Sequence, residues 1–366
     1  MSFQPQVIAF YLPQFHPTPS NNEWWGAGFT EWTNVAKAKK LYPGHYQPKI
    51  PADLGFYDLR LPEIRKRQAE LAKEAGIAGF CYYHYWFGNG RQELEMPFNE
   101  VLRSGEPDFP FCLCWANESW SRKLWDKDGA IVNKKVLVEQ TYPGREDDRL
   151  HFDSLLQAFK DHRYMKVDGK PVFVVYRPFD YSGLAEMISL WNELARQNEL
   201  PGIFFVGYTL EVADEYSALK SMGFDAVCSC RMRRQRRGTL SWALRKILSR
   251  LTHMPELYNY KNVYPTLIGK EEAEIDDVFP TLMPNWDHTP RSGAGGYLFT
   301  NSTPELFEKH ASDVFQKIAG KPQNRQLCFL KSWNEWGEGN YMEPDLRYGK
   351  GYICALRSAL DKLGLS

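Results

Sequence analysis

The stretch Leu327-Cys328-Phe329-Leu330-Lys331-Ser332-Trp333-Asn334-Glu335-Trp336-Gly337-Glu338-Gly339 begins as an apolar run and ends in a turn carrying two carboxylates and two indoles. Its first half has the length and composition of a strand buried on both faces. Seven earlier runs share that character, at Val7–Leu12, Ala78–Tyr83, Phe111–Trp115, Val172–Tyr176, Ile203–Tyr208, Ala226–Cys230 and Phe279–Pro284. Helical patterns lie among and beyond them at Leu61–Ala75, Arg149–Asp161, Gly183–Gln197, Ala213–Met222, Pro304–Ala319 and Gly351–Leu363. Pro62 suits a first helical turn, and Gly76, Gly223 and Gly320 suit helix ends. Eight such alternations point to an α/β fold, a (β/α)8 TIM barrel with long βα loops. Barrels of this kind exceed the usual domain size while keeping one core, so residues 1–366 read as a single barrel domain.

In a barrel the residues just past each strand build the site. Here those positions carry His16; His84 with Tyr85 and Trp86; Asn117 with Glu118; Arg177 after Tyr176; Thr209 after Tyr208; Arg231; Trp286 with Asp287 and His288; and Asn334 with Glu335. Loops are polar in any protein, but that does not explain the repeated Trp and Tyr. Two long loops, Pro13–Asp53 with Trp24, Trp25, Phe29 and Trp32, and Ala116–Gly144 with Trp120 and Trp125, could wall an elongated groove. Aromatics reach 15% of the chain, a surplus that suits stacking on flat rings.

Glu335 and Glu338 are the candidate catalytic pair. Breaking a glycosidic bond takes one carboxyl group to protonate the leaving oxygen and a second to act as base or nucleophile. Two acids three residues apart cannot easily both ionise, so one should hold a raised pKa and act as donor. Acids also begin helices for purely structural reasons. Strand end, paired acids, flanking indoles and barrel pattern together favour catalysis. Glu118 is a rival acid. Residues expected to hold the substrate are His16, Trp25, His84, Trp86, Asn117, Glu118, Tyr176, Tyr208, Trp286, Asp287, Trp333 and Asn334. His16, His84 and His288 with Asp287 could form a metal site, but no H-x-H or H-E-x-x-H pattern is present, so no metal and no other cofactor is expected. GxxxxGK[ST] and post-strand GxGxxG are also absent, which argues against a Rossmann-type nucleotide-sugar transferase.

Lysine plus arginine equals aspartate plus glutamate at 45 each, so no global field favours nucleic acid. The local exception is residues 231–277, read as a basic helical insertion after the sixth strand. Arg231, Arg233, Arg234, Arg236 and Arg237 open it, and an apolar stripe from Leu240 to Leu251 follows. Such a helix more often packs its stripe on the parent fold. The alternative is peripheral contact through 231–251 with an anionic membrane or a lipid-linked glycan. Most of the seven cysteines lie in apolar strands as reduced thiols would. Cys112-x-Cys114 and Cys228-x-Cys230 lack further ligands at zinc-site spacing. With no signal-like N-terminus and no apolar window of spanning length, the expectation is a cytoplasmic protein, at most peripheral to the inner membrane.

The segments Phe10-Tyr-Leu-Pro-Gln-Phe-His16, Trp24-Trp-Gly-Ala-Gly-Phe-Thr-Glu-Trp-Thr-Asn34, Gly79-Phe-Cys-Tyr-Tyr-His-Tyr-Trp86, Cys114-Trp-Ala-Asn-Glu118 and Trp333-Asn-Glu-Trp-Gly-Glu338 resemble the WbsX proteins across nearly the whole chain. That family is similar to glycoside hydrolase family 99, endo-acting α-mannosidases on (β/α)8 barrels. Its members are often named glycosyltransferases of O-antigen and capsule biosynthesis. The resemblance implies a polysaccharide or oligosaccharide substrate and retention of anomeric configuration. It further implies that Glu335 acts as base on the sugar 2-hydroxyl, which attacks its own anomeric carbon, while Glu338 protonates the leaving oxygen. Hydrolysis is the favoured outcome. Transfer by the same groups, as in a transglycosylase, and a non-catalytic glycan-binding barrel are the alternatives.

Overall fold

The computed structural model describes residues 5–125, 131–232 and 254–365. All eight expected strands form: β1 (Gln6–Tyr11), β2 (Gly79–Trp86), β3 (Phe111–Trp115), β4 (Lys170–Val175), β5 (Phe204–Thr209), β6 (Ala226–Ser229), β7 (Val278–Leu282) and β8 (Leu327–Leu330). They pair in parallel in the order β1-β8-β7-β6-β5-β4-β3-β2, and β2 pairs with β1, so the sheet closes into a barrel. Ile8 lies opposite Phe329 on one side of β1, and Phe10 opposite Cys81 on the other.

Closure explains the apolar strands. Side chains facing inward fill the barrel and those facing outward meet helices, so neither face is wet. Phe10 stacks on Tyr83 at 5.5 Å and on Phe329 at 5.2 Å, which makes the inner layer aromatic. Outside, the helices α1 (Pro62–Ala75), α2 (Met96–Ser104), α3 (Arg145–Lys160), α4 (Leu184–Gln197), α5 (Val212–Ser221), α6 (Lys270–Glu274), α7 (Pro304–Ile318) and α8 (Gly351–Asp361) cover it. Trp191 of α4, fully buried, packs on Phe173 and Phe205 at 4.9 and 5.9 Å. Helix α3 begins earlier than its apolar periodicity suggests, because Glu146, Asp147 and Asp148 occupy a first turn where negative charge is favourable.

The loops hold more structure than their composition implied. Trp120–Trp125 and Ile131–Val138 form an antiparallel hairpin; side chains 122 to 134, Trp125 among them, are outside the described set. Within the expected 231–277 insertion, Glu256–Asn259 pairs in parallel with Tyr297–Thr300, which ties this portion to the loop after β7. The basic stretch 233–251, with its expected membrane contact, lies outside the described residues. Arg231 is not the open cation it was expected to be. Its guanidinium is bonded to Glu271 at 2.6 Å and to the buried Glu272, so its charge is neutralised locally. Among the described residues no helix is long and apolar enough to cross a membrane.

Candidate active site

Beyond β8, Asn334–Glu335 pairs antiparallel with Asn340–Tyr341, and the intervening Trp336–Glu338 makes one 3-10 turn. With three residues per turn, positions three apart eclipse, which brings Glu335 and Glu338 to one side. Two glycines make this turn feasible. Gly339 closes it at φ +53°, and a Cβ on Gly337 would lie 1.6 Å from Glu31 Oε1.

One ammonium joins the pair. Lys331 Nζ lies 3.4 Å from Glu335 Oε2, 4.0 Å from Glu338 Oε2 and 3.4 Å from the Tyr83 hydroxyl, which it can donate to. It also lies 5.9 Å from the Trp286 ring centre, over its face. Burial alone would push the Lys331 pKa down, but Glu335, Tyr208, Tyr176 and Glu338 hold it well above the ordinary value. The charge therefore persists.

The two carboxyls shift in opposite directions. Glu335 is raised by burial and by the charge on Glu338, against the pull of Lys331 and Arg291. Burial would raise Glu338 as well. Arg291 Nη1 donates to it at 2.6 Å, and Lys331 and His288 add positive charge, so its pKa falls below the usual carboxylate range. Of the two, Glu335 is therefore the one whose surroundings favour the protonated form, and Glu338 the one whose surroundings favour the charged form. Arg291 in turn donates through Nε to Glu31 at 2.8 Å, and Glu31 is 2% exposed.

A second buried acid stands behind the turn. Glu343 accepts from Tyr57 at 2.9 Å, Gln68 at 2.7 Å and the Trp336 indole at 2.7 Å, and burial pushes its pKa up to about 7. It anchors Trp336, which sits between the two catalytic candidates in the chain.

Of the expected substrate residues, Tyr176, Tyr208 and Trp286 gather around Lys331 beside the glutamates. Trp25 is 40% exposed on the first long loop and stacks on Phe29 at 5.6 Å. Glu118 pairs with Arg177 at 3.1 Å with both side chains about half exposed. The others serve the scaffold. Trp333 is fully buried against Phe80, so its indole has no face to offer a sugar; Trp336 is equally buried, stacked on Tyr341 at 3.8 Å. Asn334 clasps Leu12 through both backbone groups, at 2.7 and 3.0 Å, locking the β8 loop to the end of β1. Asn117 does the same for Arg177, at 2.7 and 2.9 Å. His84 bonds His151 at 2.8 Å, and burial lowers it to about 3, so it stays neutral. Trp86 is buried, stacks on His151 at 4.6 Å and donates to Asp147 at 3.0 Å. Asp287 is taken up by Gln47 at 2.7 Å, His45 at 2.9 Å and both donors of Thr289. His16 is buried, with Asp58 and Arg60 as its charged neighbours. The three histidines and Asp287 thus have separate partners, and among the described residues no cluster of His, Cys, Asp or Glu suited to a metal ion forms.

Lys331, Arg291, Glu31 and Glu343 were not singled out from sequence. Lysine interrupting an apolar strand was a readable signal for the first. Glu31 lies in the tryptophan-rich first loop, while Arg291 and Glu343 carried no distinguishing pattern.

The sequence pattern of the family described as glycosyltransferase WbsX matches residues 7–356. The uncharacterized protein WxcX of Xanthomonas campestris pv. campestris, strain B100, is 34% identical over 359 residues, covering 97% of this chain and 50% of that protein. Its counterpart in strain ATCC 33913 is also 34% identical over the same share of each. The chain therefore spans about half the length of the curated relatives it matches. Among solved structures, the GH99 endo-alpha-mannosidase of Bacteroides thetaiotaomicron superposes with a TM-score of 0.57 at 15% identity, covering 98% of this chain and 97% of that one. A glycoside hydrolase-like protein superposes at 0.59 with 14% identity, over 98% and 94%. At such identities the likeness concerns the fold, which they share as a (β/α)8 barrel. The chain belongs to the WbsX glycosyltransferase family.

Proposed function

We propose that this chain is a glycan-processing enzyme that cleaves or transfers a glycosidic bond within a bacterial surface polysaccharide, with Glu335 and Glu338 as its acid–base pair and retention of anomeric configuration. The observation that carries the reading is two buried carboxyls with opposite pKa shifts, sharing one ammonium at the carboxyl end of β8. Neighbouring carboxyls pushed in opposite directions suit a reaction in which one group gives a proton and the other takes one. The endo-alpha-mannosidase fold neighbour supports hydrolysis, and the family description supports transfer; both use the same two groups.

The directions of the two shifts run opposite to the roles the family 99 resemblance implies. On those roles, substrate must reverse that preference, by placing its 2-hydroxyl against Glu335 and loosening Arg291 from Glu338. Glu335→Gln and Glu338→Gln should each retain glycan binding and lose turnover, followed by mass spectrometry on the surface polysaccharide of the source strain. Shortened chains mean hydrolysis, and redistributed lengths mean transfer. Full turnover in both variants would remove the proposal. A glycoside with an activated leaving group needs no proton donor. It should therefore restore turnover to Glu338→Gln alone on the implied roles, and rescue of Glu335→Gln instead would give donation to Glu335.

A further inference from the structure

A cleft of about 360 Å³ is lined in part by Asn285, Trp286 and Asp287, and neither Glu335 nor Glu338 is among its lining residues. Its volume falls in the range of small-molecule sites. Tyr42, Tyr46, Tyr348 and Trp286 supply aromatic surface, and Lys49 and Arg347 supply charge. This segment is held to the turn that carries the glutamates, since the Asp287 amide donates to the Glu338 carbonyl at 2.7 Å.

Hydrogen-bonding capacity in this cleft is unbalanced. Its two carboxylates are already engaged: Asp287 by the donors described above, and Asp345 by the Tyr341 hydroxyl at 2.6 Å and the amides of Arg347 and Tyr348 at 3.0 and 2.7 Å. The donors are under-used. Lys49, 7% exposed, reaches the Gly339 carbonyl at 3.4 Å and Asp287 at 4.0 Å, which leaves hydrogens of its ammonium without an acceptor among the described residues. The Tyr46 hydroxyl lies buried near Asp345 without a hydrogen bond of ordinary geometry. The Arg347 guanidinium is held over the rings of Tyr46 at 5.0 Å and Tyr348 at 5.2 Å, with no carboxylate at ion-pair distance among the described residues. A ligand that satisfies these groups brings acceptors and a flat face. Arginine pairs best with a planar carboxylate.

We infer that this cleft is a second carbohydrate site, distinct from the glutamate pair, and that it takes a carboxylate-bearing sugar such as a hexuronate unit. That the ligand is a sugar rests on the proposed function; that it is acidic rests on the donors of this cleft. Lys49 and Arg347 receive the carboxylate, and the Tyr46 hydroxyl donates to the sugar.

The test is binding of glucuronate, glucose and acetate to the full chain, by calorimetry and ligand-observed NMR. Glucuronate should bind at least ten times more tightly than either glucose or acetate. Arg347→Gln, a change at an exposed side chain, should weaken glucuronate at least fivefold, and Tyr46→Phe should weaken it several-fold. Equal affinity for glucose removes the acidic character, and equal affinity for acetate reduces the cleft to an anion site; either overturns the inference. So does unchanged glucuronate binding in Arg347→Gln. Turnover that survives in Arg347→Gln on a neutral glycan, with uronate binding lost, separates this cleft from the catalytic proposal.

Discussion

Replacing Arg291 by Gln removes the strongest opponent of proton uptake by Glu338. The guanidinium donates at 2.6 Å, so the charge centres stand close together. Two unit charges about 4 Å apart at an effective dielectric near 20 attract by about 4 kcal/mol, an upper figure for this pair. Two features reduce it. Lys331 remains at 4.0 Å, and the Glu338 side chain keeps 14% exposure to water. An arginine beside a carboxylate favours its charged form, so the Glu338 midpoint should rise when Arg291 is lost. Because its folded pKa is depressed, Glu338 stabilises the protein above the ordinary carboxylate range and loses that contribution as pH falls through the folded value. Arg291→Gln should accordingly lower Tm more at neutral pH than in acid. The loss also strands Glu31, so the double variant Glu31→Gln/Arg291→Gln is the control for charge left unpaired. The assay is carbon-13 NMR titration of labelled glutamate carboxyls, with the Glu338 signal identified by its absence in Glu338→Gln. A Glu338 midpoint that stays in place in both the single and the double variant would refute the electrostatic account of the pair.

Glu343 titrates toward about 7 in the folded chain against an ordinary 4.5, so the native state binds the extra proton and stability should fall as pH rises across that window, by up to about 3 kcal/mol. Glu343→Gln should flatten this part of the Tm profile, and an unchanged slope would show that another group causes it. Gly337→Ala should push Glu31 away from Arg291, because the new methyl would lie 1.6 Å from Glu31 Oε1; about 1–3 kcal/mol of stability and most turnover should be lost. Trp25→Ala should leave the unfolding free energy within about 0.5 kcal/mol of the parent, since its ring is 40% exposed, while weakening long glycans more than short ones. Equal loss for both lengths would take Trp25 out of the groove.

The barrel was legible because it rests on a physical necessity repeated eight times: strands covered on both faces must be apolar along their whole length. Continuous runs such as Phe111–Trp115 and Leu327–Leu330 meet that demand without help from context. The site was legible only where chemistry and chain proximity coincide, as in Glu335 and Glu338. Arg291 reaches Glu338, and Glu31 reaches Arg291, from parts of the chain far apart in sequence, and nothing local distinguishes them from surface charges. Lys331 is different. A buried charged residue at the end of a buried strand must have partners in three dimensions, and the two glutamates that follow it were the available candidates.

Placement at a strand end fixes which mouth of the barrel a residue occupies, but not which way its side chain faces. Asn334 and Asn117 stand where catalytic groups would stand, and both turn to backbone of the neighbouring loop, because loops that must hold a site rigid carry polar backbone groups needing partners. Trp333 and Trp336 turn into the core for the complementary reason. A tight turn that points two carboxylates outward has to bury its remaining side chains, and indoles are the largest available anchors. The aromatic surplus of this chain is therefore divided between substrate and scaffold. Glu343 shows how closely the two are joined: the carboxyl that secures Trp336 holds the turn on which both candidate catalytic acids ride.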